Sequence, residues 1–379
     1  MKKIILLILI IATNLFGNVE NKNYKSYILA TDEGKIVSEE NSRVLYPLAS
    51  VTKMMTLMVI YDAIDSGEIS KKDRVVIDSE TAKVGGSKIW MGVGQKISVD
   101  DLIKATAVHS ANNAAYALAK YVGKGSVDSF VKRMRAKAKE LGIENEVKFY
   151  TPSGLPSDMT GKKMDVGSAY GIYKISVEVL ENPKYNEYIN VASKKSVKIY
   201  SGKTRLLNRN KILGKEGIFG IKTGHHSEAG YNMAVASKKN NIELIYVILG
   251  GKNESIRDKK ILEDIGKFYD ENKRAFFLRK DSPVDNIILE NATMKNLEIY
   301  PDESFIKIVG KNTKVEFIVE YDEIKLPLEK GNEIGKYTLL LDGKIEKEGK
   351  LIIKEKILRK NSKFSEFSLW WKPLEIKEI

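Results

Sequence analysis

The stretch Tyr46-Pro47-Leu48-Ala49-Ser50-Val51-Thr52-Lys53 decides the reading of this chain. It sets a hydroxyl and an amine three residues apart, just before the apolar residues Met54, Met55, Leu57, Met58 and Ile60. On a helix, residues three apart share a face, so the Lys53 amine can reach the Ser50 hydroxyl. A helix is expected from Ser50 to about Ile64, closed by Ser66-Gly67, with its apolar side buried and the hydroxyl held still. The pair alone is a weak signal, because serine precedes lysine by three residues again at Ser129/Lys132 and Ser304/Lys307. What sets the Ser50 copy apart is the sequel: Ser110-Ala111-Asn112 and then Lys222-Thr223-Gly224, each present once and in that order.

A serine hydroxyl is a weak nucleophile until a neighbour takes its proton. The chain has only three histidines, His109, His225 and His226, and no acid partner for any of them can be read from the sequence. Lysine is the alternative base, but at its usual pKa it is neutral about once in 2,500 molecules at pH 7, a penalty of roughly 4.6 kcal/mol. Burial and a second cation both lower a lysine pKa. Lys222 is the candidate for that second cation, so the three motifs make chemical sense as one unit. Ser110 can relay a proton to a leaving amine, Asn112 can hydrogen-bond a substrate amide, and Lys222, Thr223 and Gly224 can supply charge, a hydroxyl and room for a carboxylate-bearing chain. Each serine could instead be a plain helix N-cap. The guanidinium of Arg209, in Asn208-Arg209-Asn210, could pair with a terminal carboxylate or simply be solvated.

The rest of the chain fits an exported enzyme. Its 379 residues, 43% hydrophobic, are enough for two or three domains with a full core. Lys2, Lys3 and the apolar run Ile4 to Ala12 read as a signal peptide over residues 1–17, the run being too short to cross a bilayer. The absence of cysteine excludes disulfides, thiolate metal sites and a cysteine nucleophile. The formal charge of +13 falls to +11 once Lys2 and Lys3 are removed, and its lysines are scattered among glutamates without interleaved aromatics, which argues against nucleic acid. No histidine is assigned a metal, and the chemistry calls for no cofactor.

Strands are expected at Ser26–Ala30, Lys35–Ser38, Ser196–Tyr200, Gly217–Lys222, Tyr231–Ser237 and Ile242–Leu249. Helices are expected at 99–108, 112–122, 126–141, 164–180 and 254–269. Strands at both ends with helices between them imply an α+β domain over residues 22–275, its first and last strands adjacent in an antiparallel sheet. From Asp281-Ser282-Pro283 the pattern alternates in twos, as in Val315, Phe317, Val319 and Tyr321, and Asp342-Gly343 signals a hairpin; this is a small all-β domain over 280–357. The tail 361–379 places Phe364, Phe367, Trp371 and Leu374 at helical spacing beside lysines, a candidate membrane-surface anchor or a tail packed on the β domain.

Around the motifs, Tyr46 to Lys53, Gly220-Ile221-Lys222-Thr223-Gly224-His225 and Ala229-Gly230-Tyr231-Asn232 closely resemble the low-molecular-mass penicillin-binding proteins that are D-alanyl-D-alanine carboxypeptidases. Leu207-Asn208-Arg209-Asn210, Leu249-Gly250-Gly251, Leu326-Pro327-Leu328 and Leu341-Asp342-Gly343-Lys344 fit the same family. The resemblance implies a penicillin-recognising transpeptidase-like domain followed by a β-rich domain, acting in cell-wall maturation. It implies that Ser50 forms an acyl ester with peptidoglycan pentapeptide, that Lys53 is the base, and that Ser110 and Asn112 serve relay and amide binding. Lys222 and Thr223, with Arg209, would hold the substrate carboxylate, and the N–H groups of Ser50 and His225 would form an oxyanion hole. It also implies acylation by β-lactams and a periplasmic or other extracytoplasmic place, peripheral on the outer face of the cytoplasmic membrane. One departure is Lys252 after Gly250-Gly251, where arginine is expected.

A class A β-lactamase shares the three motifs but adds a glutamate in a Glu-x-x-Leu-Asn loop between the second and third. Here Phe149-Tyr150-Thr151-Pro152-Ser153-Gly154-Leu155 stands in that region, as in the peptidases. A non-catalytic β-lactam or peptidoglycan sensor is the other alternative, and it has no need of a nucleophile together with its base.

Overall fold

The computed structural model describes residues 23–290, 292–360 and 377–378. The expected signal peptide and all but two residues of the expected anchor tail lie outside these. The chain divides into two compact units, Met1–Lys238 with Glu243–Ile265, and Lys239–Ile242 with Gly266–Ile379.

In the first unit, β1 (Ser26–Thr31) turns at Gly34, whose φ of +78° suits glycine, into β2 (Ile36–Glu40). A single 3-10 turn, Ala49–Thr52, leads into α1 (Lys53–Asp65). Helices α2 (Val99–Val108), α3 (Asn112–Val122), α4 (Val127–Glu140) and α5 (Ala169–Glu181) follow. Strands β3 (Lys222–His226), β4 (Gly230–Lys239) and β5 (Ile242–Gly251) complete the sheet, and α6 (Glu254–Glu271) comes last. The sheet order is β3-β4-β5-β1-β2, so the first strand pairs with the last, Ser26 opposite Leu249 and Thr31 opposite Leu244. Helix α1 is apolar all round, and every residue from Lys53 to Tyr61 is buried, which fits a helix that runs through the core and carries no solvent face. Side-chain caps start three helices: Ser98 accepts from Asp101 N, Ser126 from Ser129 N and Ser168 from Gly171 N.

The first unit departs from the sequence expectation in three places. The helix expected from Ser50 begins as the 3-10 turn, because Ala49 is held at a φ of +49°. The helix expected from Met164 begins at Ala169, because Val166-Gly167 pairs with both Tyr46-Pro47 and Val147-Lys148 in a small sheet. The strand expected over Gly217–Lys222 runs instead from Lys222 to His226. Glu216 and Gly217 have φ values of 45° and 70°, and a Cβ on Gly217 would meet the Lys238 carbonyl at 2.2 Å. The third motif therefore forms the strand and does not merely end one. Lying at the sheet edge, β3 leaves part of its backbone unpaired by neighbours.

The second unit is β-rich. A five-stranded sheet has the order Asp285–Ile288, Asn296–Pro301, Lys344–Ile352, Glu333–Leu341 and Val315–Tyr321. A three-stranded sheet centres on Asn272–Leu278, between Phe305–Gly310 and Lys377–Glu378. Asp342 and Gly343 both have positive φ, 50° and 73°, as a two-residue type I′ hairpin requires. The core of this unit gathers Phe277, Ile299, Tyr337, Leu339, Leu351 and Ile353.

Candidate active site

Ser50 sits in the 3-10 turn, and neither it nor Ser110 acts as a helix cap: the caps at those helix starts are Thr52 and Ala111. Buried Asn232 on β4 fixes the turn from behind. Its Nδ2 donates to Pro47 O at 2.8 Å and Leu48 O at 3.0 Å, and its Oδ1 accepts from Gly250 N at 2.7 Å. Gly224 is Asn232's partner across the ladder. A Cβ on Gly224 would stand 2.8 Å from Leu48 O and 3.1 Å from Ser50 N, so only glycine lets β3 lie this close to the serine.

Lys53 is fully buried, and its Nζ has three neighbours: Ser50 Oγ at 2.8 Å, Asn112 Oδ1 at 2.7 Å and Ser153 O at 2.6 Å. The amide and main-chain oxygens can only accept. A neutral amine has two N–H bonds and one lone pair. If the two N–H groups go to Asn112 and Ser153, the lone pair is left for the Ser50 hydroxyl proton. Burial pushes Lys53 well below the usual lysine range, the nearby Lys222 charge lowers it further, and Asp165 opposes both. This is the arrangement that a lysine base requires.

The second motif joins the first to the third. Ser110, in a left-handed conformation with φ 61°, accepts a hydrogen bond from Lys222 Nζ at 2.9 Å. Lys222 also donates to Thr223 O at 2.8 Å, and burial with the Arg209 and Arg257 charges holds it down to about 7. Asn112 Nδ2 donates to Gly85 O at 2.9 Å, while Asn112 N donates to Ser87 O at 2.6 Å. The loop before α2 is thereby fastened to the same wall.

Asp165 is the part of the site that the motifs do not announce. Its buried carboxylate accepts from Tyr150 N, Thr151 N and Thr151 Oγ1, at 2.5, 2.9 and 2.5 Å. Thr151 Oγ1 accepts in turn from Gly154 N at 2.9 Å. This network shapes the 150–154 turn, which presents Ser153 O to Lys53. Burial raises Asp165 to about 6, although those hydrogen bonds and Lys53 oppose the rise. In the sequence, segment 149–155 is informative only for what it lacks. Asp165 itself carries no signal there, because one aspartate among many has no pattern.

Arg209 lies at the rim. Its Nη2 is 3.3 Å from both Ser87 Oγ and His109 Nε2, and its Nε donates to His109 O at 3.4 Å. Since a guanidinium only donates, His109 Nε2 must accept and the ring is neutral; burial and the Arg209 charge also lower the His109 pKa. His225 is exposed and packs on Tyr231 with ring centroids 3.9 Å apart. Thr223 is partly buried beside them. Among the described residues no group of histidine and carboxylate side chains could hold a metal ion.

Comparison with known proteins fits this geometry. A family model described as D-alanyl-D-alanine carboxypeptidase matches residues 18–253. The chain belongs to the D-alanyl-D-alanine carboxypeptidase family. A second model, the C-terminal domain of penicillin-binding protein 5, matches residues 275–359. D-alanyl-D-alanine carboxypeptidase DacF of Bacillus subtilis is 28% identical over 333 residues, covering 86% of this chain and 84% of the relative. DacA of Escherichia coli K12, a carboxypeptidase of the same name, is 28% identical over 347 residues, covering 88% and 83%. Among solved structures, penicillin binding protein 5 from Haemophilus influenzae superposes with a TM-score of 0.65 at 26% identity, over 89% of this chain and 98% of that one. The protein is a serine D-alanyl-D-alanine carboxypeptidase of peptidoglycan metabolism, from a family whose members work through an acyl-enzyme and bind β-lactams.

Proposed function

We propose that Ser50, Lys53 and Ser110 carry the reaction of this carboxypeptidase, and that Asn112, Lys222, Thr223, Gly224, Arg209 and His225 bind its substrate. The observation behind this is the placing of the Lys53 amine, whose two obligate acceptors leave its lone pair to Ser50. Ser50 Oγ attacks the carbonyl of the penultimate D-alanine while its proton passes to Lys53. The C–N bond then breaks as Lys53 passes that proton through Ser110 to the departing D-alanine nitrogen, leaving an ester on Ser50. Water, giving its proton to Lys53, attacks that ester, and Lys53 returns the proton to Ser50 Oγ as the C–O bond breaks and the shortened peptide leaves. The Ser50 and His225 N–H groups face the developing oxyanion, an interaction worth about 2.7–4 kcal/mol per donor in acyl-transfer enzymes. Asn112 Nδ2, which keeps one N–H beyond its bond to Gly85, takes the substrate amide.

The terminal carboxylate falls to Lys222 and Thr223, with Arg209 at the rim. In its charged form Lys222 pairs with that carboxylate and, being a cation, keeps Lys53 from taking up a proton early. Such a substrate places the enzyme outside the cytoplasm, on the membrane face where peptidoglycan is built, and the 361–379 tail is the candidate contact with that surface. Among the described residues, no helix is long and apolar enough to cross a membrane.

The test is release of D-alanine from diacyl-Lys-D-Ala-D-Ala by wild type and Ser50→Ala, with mass spectrometry of the penicillin-treated protein. Release and a Ser50 adduct in the wild type alone support these roles. Equal release by both proteins would remove Ser50 from the mechanism.

A further inference from the structure

Trp90 is 75% exposed, more than any other large apolar side chain among the described residues, and Val93 beside it is 67% exposed. Tryptophan is enriched at contact surfaces, where its large apolar face and polar edge both find partners. The loop that carries Trp90 is held at several points. Buried Asn113 bonds both Ile89 N, at 3.2 Å, and Ile89 O, at 2.8 Å. The Tyr200 hydroxyl donates to Trp90 O at 2.5 Å, Gly92 N donates to Gln95 Oε1 at 2.9 Å, and Gly94 N donates to Ile77 O at 2.8 Å. Ile89 and Met91 are buried on either side, so this short extended run points Trp90 outward. The six-membered end of the indole lies over Gly92, where a Cβ would be 3.6 Å from Cη2. The ring is thus open to solvent on a loop whose backbone is held, and little backbone entropy remains to be lost on binding.

The same loop is part of the catalytic wall. Ser87, three residues before Trp90, accepts the Asn112 N–H at 2.6 Å and is in contact with Arg209. Three residues span at most about 10 Å, which keeps Trp90 within that distance of Ser87 and so near Arg209 at the rim. The substrate's geometry calls for something there. With the penultimate D-alanine carbonyl at Ser50, the four remaining stem residues extend about 14 Å when stretched, and their far end is joined to an amino-sugar strand. That strand must therefore lie on the rim and not in the pocket.

We propose that Trp90 is a stacking platform for a sugar ring of the peptidoglycan glycan strand, an inference that rests on the carboxypeptidase reading. A pyranose presents a face of C–H groups with slight positive charge, which suits the negative face of an indole. Exposed Val93, Lys88 and Lys96 lie in the same stretch of chain and can add apolar area and donors for sugar oxygens.

The experiment compares kcat/KM for D-alanine release from a disaccharide-linked pentapeptide and from diacyl-Lys-D-Ala-D-Ala. It uses wild type, Trp90→Ala and Trp90→Phe. The ratio of the two values should fall about three- to tenfold in Trp90→Ala, through KM, and recover in part in Trp90→Phe. A second readout needs no turnover. Stem-free glycan strands should change a tryptophan emission that is present in wild type and absent in Trp90→Phe, since both proteins keep Trp370 and Trp371. An unchanged ratio, or equal losses on both substrates, overturns the proposal. So does a Trp90-dependent emission change with anionic lipid vesicles and none with glycan. If wild type releases D-alanine from neither substrate, the carboxypeptidase reading itself has failed, and this inference falls with it.

Discussion

Gly154 meets Ala49 so closely that a Cβ on Gly154 would stand 1.8 Å from the Ala49 carbonyl oxygen. Both residues have positive φ, +76° and 49°. The turn that gives Ser153 O to Lys53 is therefore interlocked with the residue just before Ser50, and the two sides of the cradle cannot shift independently. Gly154→Ala should separate them. The left-handed backbone costs an alanine about 1–2 kcal/mol before any clash is relieved. Acylation of Ser50 by a fluorescent penicillin should slow more than tenfold, and a melting curve should show the lost stability. Wild-type acylation in this variant would mean that the interlock does not matter.

Lys53 must be neutral to take the Ser50 proton, and two charges act on it in opposite senses: Lys222 lowers its pKa and Asp165 raises it. Asp165→Asn keeps an oxygen for Tyr150 N and Thr151 N but removes the negative charge. The acid limb of kcat/KM should then move to lower pH. Lys222→Met removes the positive charge and should move that limb to higher pH. Shifts in the same direction would refute this account of the base.

The stability of the Asp165→Asn protein carries a second sign. The folded pKa of Asp165, about 6, lies above the ordinary value of 3.8, so the native state holds this proton more tightly than the unfolded chain does. Wild type thus loses stability from this group as pH rises from about 4 to 6. Unfolding curves across that window should show the asparagine variant gaining on wild type as pH increases. The opposite trend would mean that the hydrogen bonds outweigh burial.

Lys222, held down to about 7, is charged below that pH and increasingly neutral above it. A substrate carboxylate favours the charged form. For a substrate ending in free carboxylate, KM should rise as pH increases through about 7. The same peptide ending in an amide should lack this limb, and identical profiles for the two would remove Lys222 from carboxylate recognition.

In the β-rich unit, Gly349 lies under Tyr337, where a Cβ would be 2.3 Å from the tyrosine oxygen. The ring cannot swing away freely, because it stacks on Phe317 with centroids 5.6 Å apart. Gly349→Ala should destabilise this unit by about 1–3 kcal/mol, the usual cost of overpacking. Differential scanning calorimetry would register the change, and an unaltered transition would show that the strands simply part.

The sequence makes legible whatever acts through side chains at short spacing. Ser50 and Lys53 meet because one helical turn brings them together, and the pairing of Ser26–Thr31 with Leu244–Leu249 follows from strands at both ends of an α+β unit. Contacts made by main-chain oxygens are hidden, since the carbonyls of Ser153 and Gly85 look like any others. Asp165 is hidden for a related reason, as is the part played by Asn232, whose stretch carries the resemblance but not the role: each serves through the backbone of a distant segment. The positive φ of Ala49 is likewise invisible, because it is imposed by neighbours far away in the chain.

Of the two acceptors that orient the Lys53 amine, one belongs to a peptide bond. No codon change can delete an oxygen that every residue possesses. A variant that escapes β-lactams by weakening this grip would have to displace the whole 150–154 bend, and the amine would then be misplaced for the natural peptide as well. Drug evasion by that route is therefore tied to loss of the cell-wall reaction itself, and tolerated changes should gather farther out, where inhibitor and stem peptide differ in shape.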